Sequence, residues 1–115
     1  MARPQLALVL HAHLPWIRHP EQPQFHEETW LFEALIECYL PLCEGMRDWT
    51  SRGWPWRLAL SVSPTLAAAL NDDLLRARFE THLSRVRELA EREMDRHLVQ
   101  PDRRAVAGFY QERLT

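Results

Sequence analysis

The sequence predicts an α/β fold with parallel strands, the first β-α-β-α portion of a larger sheet and incomplete within this chain. Three observations carry that expectation. Leu6-Ala7-Leu8-Val9-Leu10 and Arg57-Leu58-Ala59-Leu60-Ser61-Val62 are short, largely apolar runs without polar alternation, the pattern of strands covered on both faces. The first is followed by apolar residues at helical spacing, and so is the second, which is the order of a parallel sheet. Two strands alone would leave unpaired edges and bare apolar faces, which natural domains avoid.

The first strand runs into His11-Ala12-His13-Leu14-Pro15-Trp16, and Pro15, Pro20 and Pro23 then keep residues 14 to about 26 in a loop rich in Trp, His and Arg. A helix is predicted from Glu27, with Leu31, Leu35, Cys38 and Leu42 on one stripe and Phe32, Ile36 and Tyr39 beside it. Glu27 and Glu28 suit its first turn, where the helix dipole favours negative charge. Pro41 should kink this helix or end it near Leu40, leaving Trp49 to Trp56, with Gly53 and Pro55, as the return loop.

After the second strand, Ser63 and Pro64 have the chemistry of an N-cap and a first helical residue. A short helix to Leu70 should break at Asn71-Asp72. A long one to about Leu98 should bury Leu75, Phe79, Leu83, Val86, Ala90 and Met94 and leave Arg76, Arg87, Glu88, Arg92 and Glu93 in water. Glu88 and Arg92 make a favourable pair worth about 0.3 kcal/mol. Pro101 opens a last helix in which Val106, Phe109, Tyr110 and Leu114 could share a face, and no stop signal precedes Thr115. Residues 1–115 are therefore expected to be the N-terminal fragment of a larger domain.

The composition is that of a globular protein: 115 residues, 46% hydrophobic and 26% charged. A formal charge of -2 provides no global basic field, so a nucleic-acid partner is not expected. All 14 positive side chains are arginine, which carries no functional conclusion. Cys38 and Cys43, five positions apart, match neither a CxxC redox pair nor a zinc knuckle, and reduced, buried thiols are expected. No apolar run has the length of a membrane span, and histidines end the first apolar segment too soon for a secretory core. A soluble, cytoplasmic protein without a membrane partner is expected.

His11 and His13 carry the chemistry. Side chains two apart on a strand point the same way, and the carboxyl edge of a parallel sheet is where such folds bind ligands. Two readings fit the pair. The imidazoles could be ligands of a divalent metal, or they could hydrogen-bond sugar hydroxyls while Trp16, Trp30 or Trp54 offers an apolar face to a pyranose ring. Trp49 and Trp56 are assigned to packing. Ser61 and Ser63 lie near the same edge, Ser63 as a cap, and no Gly-x-Ser-x-Gly elbow surrounds either. His82 and His97 fall on the long helix as surface or packing residues.

His11-Ala12-His13-Leu14-Pro15 with Trp16-Ile17-Arg18-His19-Pro20-Glu21 resembles the opening motif of glycoside hydrolase family 57. Trp30-Leu31-Phe32-Glu33-Ala34 and Glu37-Cys38-Tyr39-Leu40-Pro41-Leu42 are similar to its first helix, and Leu60-Ser61-Val62-Ser63-Pro64-Thr65-Leu66 to its second strand and turn. The resemblance spans most of residues 5–98 and looks closest to the α-1,4-glucan branching enzymes, where Leu14 takes the place of the Gln in the broader His-x-His-Gln-Pro pattern.

The resemblance implies a (β/α)7 barrel with no metal requirement, acting on an α-1,4-glucan by a retaining route in which a Glu attacks the anomeric carbon and an Asp serves as acid and base. Both motifs lie downstream of position 115 in the family, so no residue here is expected to be catalytic, and the missing part of the barrel becomes a required partner. His11 and His13 would contact the sugar where its bond breaks. Trp16, Arg18, Trp30 and Glu33 match further family positions as substrate contacts, with loop anchoring, packing or simple exposure as the alternatives. Two other classes stay open: a metal-dependent, polysaccharide deacetylase-like hydrolase with His11 and His13 as ligands, and a non-catalytic remnant that folds by pairing with another chain.

Overall fold

The computed structural model describes residues 6–114, ordered as β1 (Val9–Ala12), α1 (Glu28–Ala34), a π-helical turn (Leu35–Tyr39), α2 (Leu40–Ser51), β2 (Ala59–Val62), α3 (Pro64–Leu70), α4 (Asp73–Arg96) and α5 (Pro101–Arg113). Residues up to Leu75 form one compact unit and those from Arg76 a second.

In the first unit β1 and β2 pair in parallel, with Val9 opposite Ala59, Leu10 opposite Leu60, His11 opposite Ser61 and Ala12 opposite Val62. The ladder continues at both ends: the Ala59 amide donates to the Leu8 carbonyl at 3.2 Å and the Ser63 amide to the Ala12 carbonyl at 2.9 Å. The predicted β-α-β-α order is present. The strands are not covered on both faces, however: every residue of β2 is exposed, and in β1 only Ala12 is buried. A single crossover covers too little of a two-stranded sheet. β1 also starts later than predicted, at Val9, and takes in His11.

Pro41 does not end the first helix near Leu40. The chain widens into the π-helical turn, where the Leu40 amide reaches back five residues to the Leu35 carbonyl, and Pro41 then occupies the first turn of α2. In a regular α-helix the proline ring would meet the Glu37 carbonyl, and the wider turn gives it room. The helix therefore runs on to Ser51, and Trp49, expected in the return loop, lies on it. It ends in a Schellman arrangement: Gly53 adopts φ +68°, its amide donates to Thr50 and the Trp54 amide to Trp49. Trp49 and Trp56 pack edge to face with ring centroids 5.9 Å apart, in keeping with their assignment to packing.

Ile17, Leu31, Leu66 and Leu75 are the large, fully buried side chains, joined in the first unit by Phe32 and Ala69. Cys38 and Cys43, expected to be buried, are free and exposed. They line an apolar groove of about 300 Å³ between the sheet and the helix that crosses it, with Leu10, Leu60 and Leu66. The incomplete cover of the sheet leaves this groove open. α3 begins as predicted: the Ser63 Oγ accepts from the Leu66 amide at 3.3 Å.

The second unit holds the rest of α4, and α5. Ala90, Ala107 and Leu114 are buried, while Phe79, Leu83, Val86 and Met94, predicted as core, are half-buried. Val106, Phe109 and Tyr110 share no buried face; all three are exposed. Two helices cannot enclose a full apolar stripe on each. Arg92 and Glu88 pair at 3.1 Å, and Glu93 binds Arg96 at 3.3 Å and His97 at 2.9 Å. Its carboxyl is held below the ordinary range chiefly by the Arg96 hydrogen bond. Among the described residues no helix is long and apolar enough to cross a membrane.

Candidate functional site

The polar groups gather at the carboxyl end of β1. His11 and His13 lie on one side of the strand, their rings stacked at 5.9 Å between centroids and 17° between planes. Ala12 between them turns inward, 8% exposed. The alternation of a strand dictates this: residues i and i+2 share a face and the residue between takes the other. Both imidazoles are exposed.

The parallel register adds a third group. Ser61 stands opposite His11, and its Oγ shares a hydrogen bond of 2.8 Å with the His11 Nδ1. Nδ1 is thereby engaged, and Nε2 is left for a ligand. Within the described residues no group of three or more His, Cys, Asp or Glu side chains is placed to hold a metal ion, so the pair has no third ligand beside it.

The turn after His13 is clasped by the start of α3. The Thr65 hydroxyl donates to the Leu14 carbonyl at 2.5 Å and lies 3.1 Å from the Ser63 Oγ. Ile17, 1% exposed, anchors the loop in the core of its unit, and the two neighbours of this isoleucine diverge. Trp16 is 58% exposed. Arg18 turns to Asp72, its Nε donating to Oδ2 at 2.5 Å. Asp72 also accepts from the Leu75 amide at 3.0 Å and so caps α4. Burial pushes its carboxyl upward, but the Leu75 amide and the Arg18 guanidinium outweigh burial and hold it below the ordinary carboxylate range.

Farther along the loop, His19 meets Glu21 at 2.9 Å and packs against Phe25, with ring centroids 3.7 Å apart. The Glu21 carboxyl is lowered by a hydrogen bond from its own backbone amide and, to a smaller extent, by His19. On α1 the buried residues are Glu28, Leu31 and Phe32. At about 100° per residue, Trp30 and Glu33 fall on the opposite, exposed side. The structure thus brings His11 and His13 together, with Trp16 close behind in sequence, and gives Arg18 an ion-pair partner. It ties neither Trp30 nor Glu33 into that group.

Sequence reading did not anticipate the partners of these residues. Ser61 was visible as a residue near the edge, but its position against His11 depends on strand register. Asp72 and Thr65 read as break and turn residues, and nothing local in either segment signals a partner 54 or 51 positions away. Glu28 reads in the sequence as a first-turn acid, and the fold buries it to 3% exposure. Among the described residues no buried side-chain nitrogen or oxygen lacks a hydrogen-bond partner.

No family model matches the chain. A 1,4-alpha-glucan branching enzyme of Thermococcus kodakarensis is 35% identical over 80 residues, which are 70% of this chain and 12% of that enzyme. A probable 1,4-alpha-glucan branching enzyme of Mycobacterium tuberculosis is 34% identical over 65 residues, 56% of this chain and again 12% of the relative. Among solved structures, an alpha-amylase of Thermotoga maritima superposes with a TM-score of 0.86 at 36% identity, and a GH57-type branching enzyme of Pyrococcus horikoshii with 0.80 at 29%. Each superposition covers 94% of this chain and 20% of the other. The chain therefore spans about an eighth of the length of these curated relatives and a fifth of these solved chains. By sequence and by fold together, this chain matches members of glycoside hydrolase family 57 of the branching-enzyme type.

Proposed function

We propose that this chain is the N-terminal part of a (β/α)7 barrel that acts on α-glucan, and that the complete enzyme cuts an α-1,4 linkage and passes the glucan to a 6-hydroxyl. The observation that carries the reading is the imidazole pair. Two parallel rings face one space at the carboxyl edge of a parallel sheet, with the Nδ1 of His11 already engaged by Ser61. A sugar hydroxyl both donates and accepts, so it can meet the remaining Nε2 in either tautomer. Trp16, exposed and three positions after His13 in the chain, offers an apolar face to a pyranose ring. Arg18 anchors this loop through Asp72, while Trp30 and Glu33 are the outer candidates for glucan contact.

The retaining route needs a nucleophilic carboxylate and an acid/base carboxyl about 5 Å apart. In this reading both come from polypeptide beyond position 115, and residues 1–115 bind and orient glucan without breaking a bond. The free thiols of Cys38 and Cys43 suit a reducing compartment, and we place the enzyme in the cytoplasm.

The test uses the 115-residue chain itself. Incubated with amylose it should create no new branch points, and it should bind maltoheptaose with an affinity that His13→Ala lowers roughly tenfold. Branch formation by the chain alone would show that it holds its own catalytic groups. Absence of binding would remove the sugar-contact role of the histidines, and stoichiometric zinc on elemental analysis would redirect the pair to metal-assisted hydrolysis.

A further inference from the structure

The geometry points to Ser61 as a positioning residue that fixes the tautomer and ring orientation of His11, an inference that rests on the glucan-contact reading of the imidazole pair. Three observations converge on Ser61. Parallel register sets it directly opposite His11, so both side chains emerge on the same face of the sheet. Its Oγ lies 2.8 Å from the His11 Nδ1. The His11 ring stands nearly parallel to that of His13, with 17° between the planes and 5.9 Å between centroids, so the ring held by Ser61 faces the same space as its neighbour.

The chemistry follows from the two distinct nitrogens of the ring. Whichever one is committed to a neighbour decides what the other presents. Among the described residues Ser61 has His11 as its hydrogen-bond partner, and in this assignment its hydroxyl proton sits on the Nδ1 lone pair. His11 then carries its own proton on Nε2 and presents an N–H donor to the ligand, aimed at a sugar oxygen. Without the serine, the two tautomers would interconvert in water and the ring would turn about its χ angles. Glucan would then meet a correctly oriented His11 ring only part of the time.

The experiment is nitrogen-15 NMR of the imidazoles in the 115-residue chain, with maltoheptaose titrations alongside. In the parent chain His11 should show one neutral tautomer, protonated on Nε2. Ser61→Ala should give averaged His11 nitrogen shifts, leave His13 unchanged, and weaken maltoheptaose binding about fivefold. Ser61→Thr, which keeps the hydroxyl on a strand-favouring residue, should restore both. Averaged His11 shifts in the parent chain, or a single tautomer that survives Ser61→Ala, would overturn the assignment. The parent-chain spectrum decides the question even if the alanine variant fails to fold. If the parent chain ignores maltoheptaose while Ser61→Ala still averages the His11 signals, the glucan reading has failed and the hold of Ser61 on His11 stands.

Discussion

Arg18, in the loop after β1, and Asp72, the cap of α4, meet at 2.5 Å although 54 positions separate them. With 36% of the arginine side chain and 19% of the aspartate side chain exposed, the pair is neither a free surface contact nor a dry one. It ties the imidazole loop to the segment that follows α3. The Leu75 amide on the other carboxylate oxygen orients Asp72 for it.

Because the Asp72 carboxyl is lowered in the folded state, its contribution should be fully present above about pH 4 and lost as pH falls through the folded value. Asp72→Asn keeps a capping oxygen and removes the charge. Urea denaturation should show it about 0.5–1 kcal/mol less stable than the parent at pH 7, the solvent-discounted worth of a partly exposed pair. The gap should shrink by about pH 3. An equal gap at both pH values would assign the loss to capping instead.

Thr65→Val replaces the hydroxyl by a methyl group of similar size and leaves the Leu14 carbonyl without its 2.5 Å donor. A loss of about 1–2 kcal/mol is expected in denaturant titrations. Amide exchange should quicken in residues 13–17 before it does in α3. Uniform quickening across the first unit would mean that the hydroxyl supports the whole unit and not the turn.

Leu66, 1% exposed, and Leu60, 48% exposed, separate core from open sheet. Leu66→Ala should cost about 2–5 kcal/mol and Leu60→Ala less than about 1 kcal/mol. Comparable losses would mean that the face bearing Leu60 is covered in solution, for instance by a second chain.

The exposed Cys38 and Cys43 should both react with Ellman's reagent in the native protein, without denaturant. Reaction only after unfolding would show that the groove they line is closed in solution.

Local chemistry was readable wherever one segment supplied every part of it. Ser63-Pro64 gave a cap and a first turn and Asn71-Asp72 a break, because each depends on backbone preferences within a few residues. At Pro41 the alternative of a helix end near Leu40 failed for the opposite reason. The rule that proline stops a helix assumes a regular α-helical turn, and the chain widened the turn instead. Burial was overestimated for both strands, both cysteines and α5, since an apolar pattern records what a residue would bury against, not whether that surface is within reach.

The alternation of extended backbone predicts that His11, in β1, and His13, one residue past its end, share a side, and their stacked rings do. Which groups would meet them was decided by pairing across long separations. Ser61 on Nδ1, Thr65 on the Leu14 carbonyl and Asp72 on Arg18 all follow from strand register and from the way α3 and the start of α4 return to the loop. Register and return path are collective outcomes of packing, and a linear pattern holds no record of them until the chain has folded.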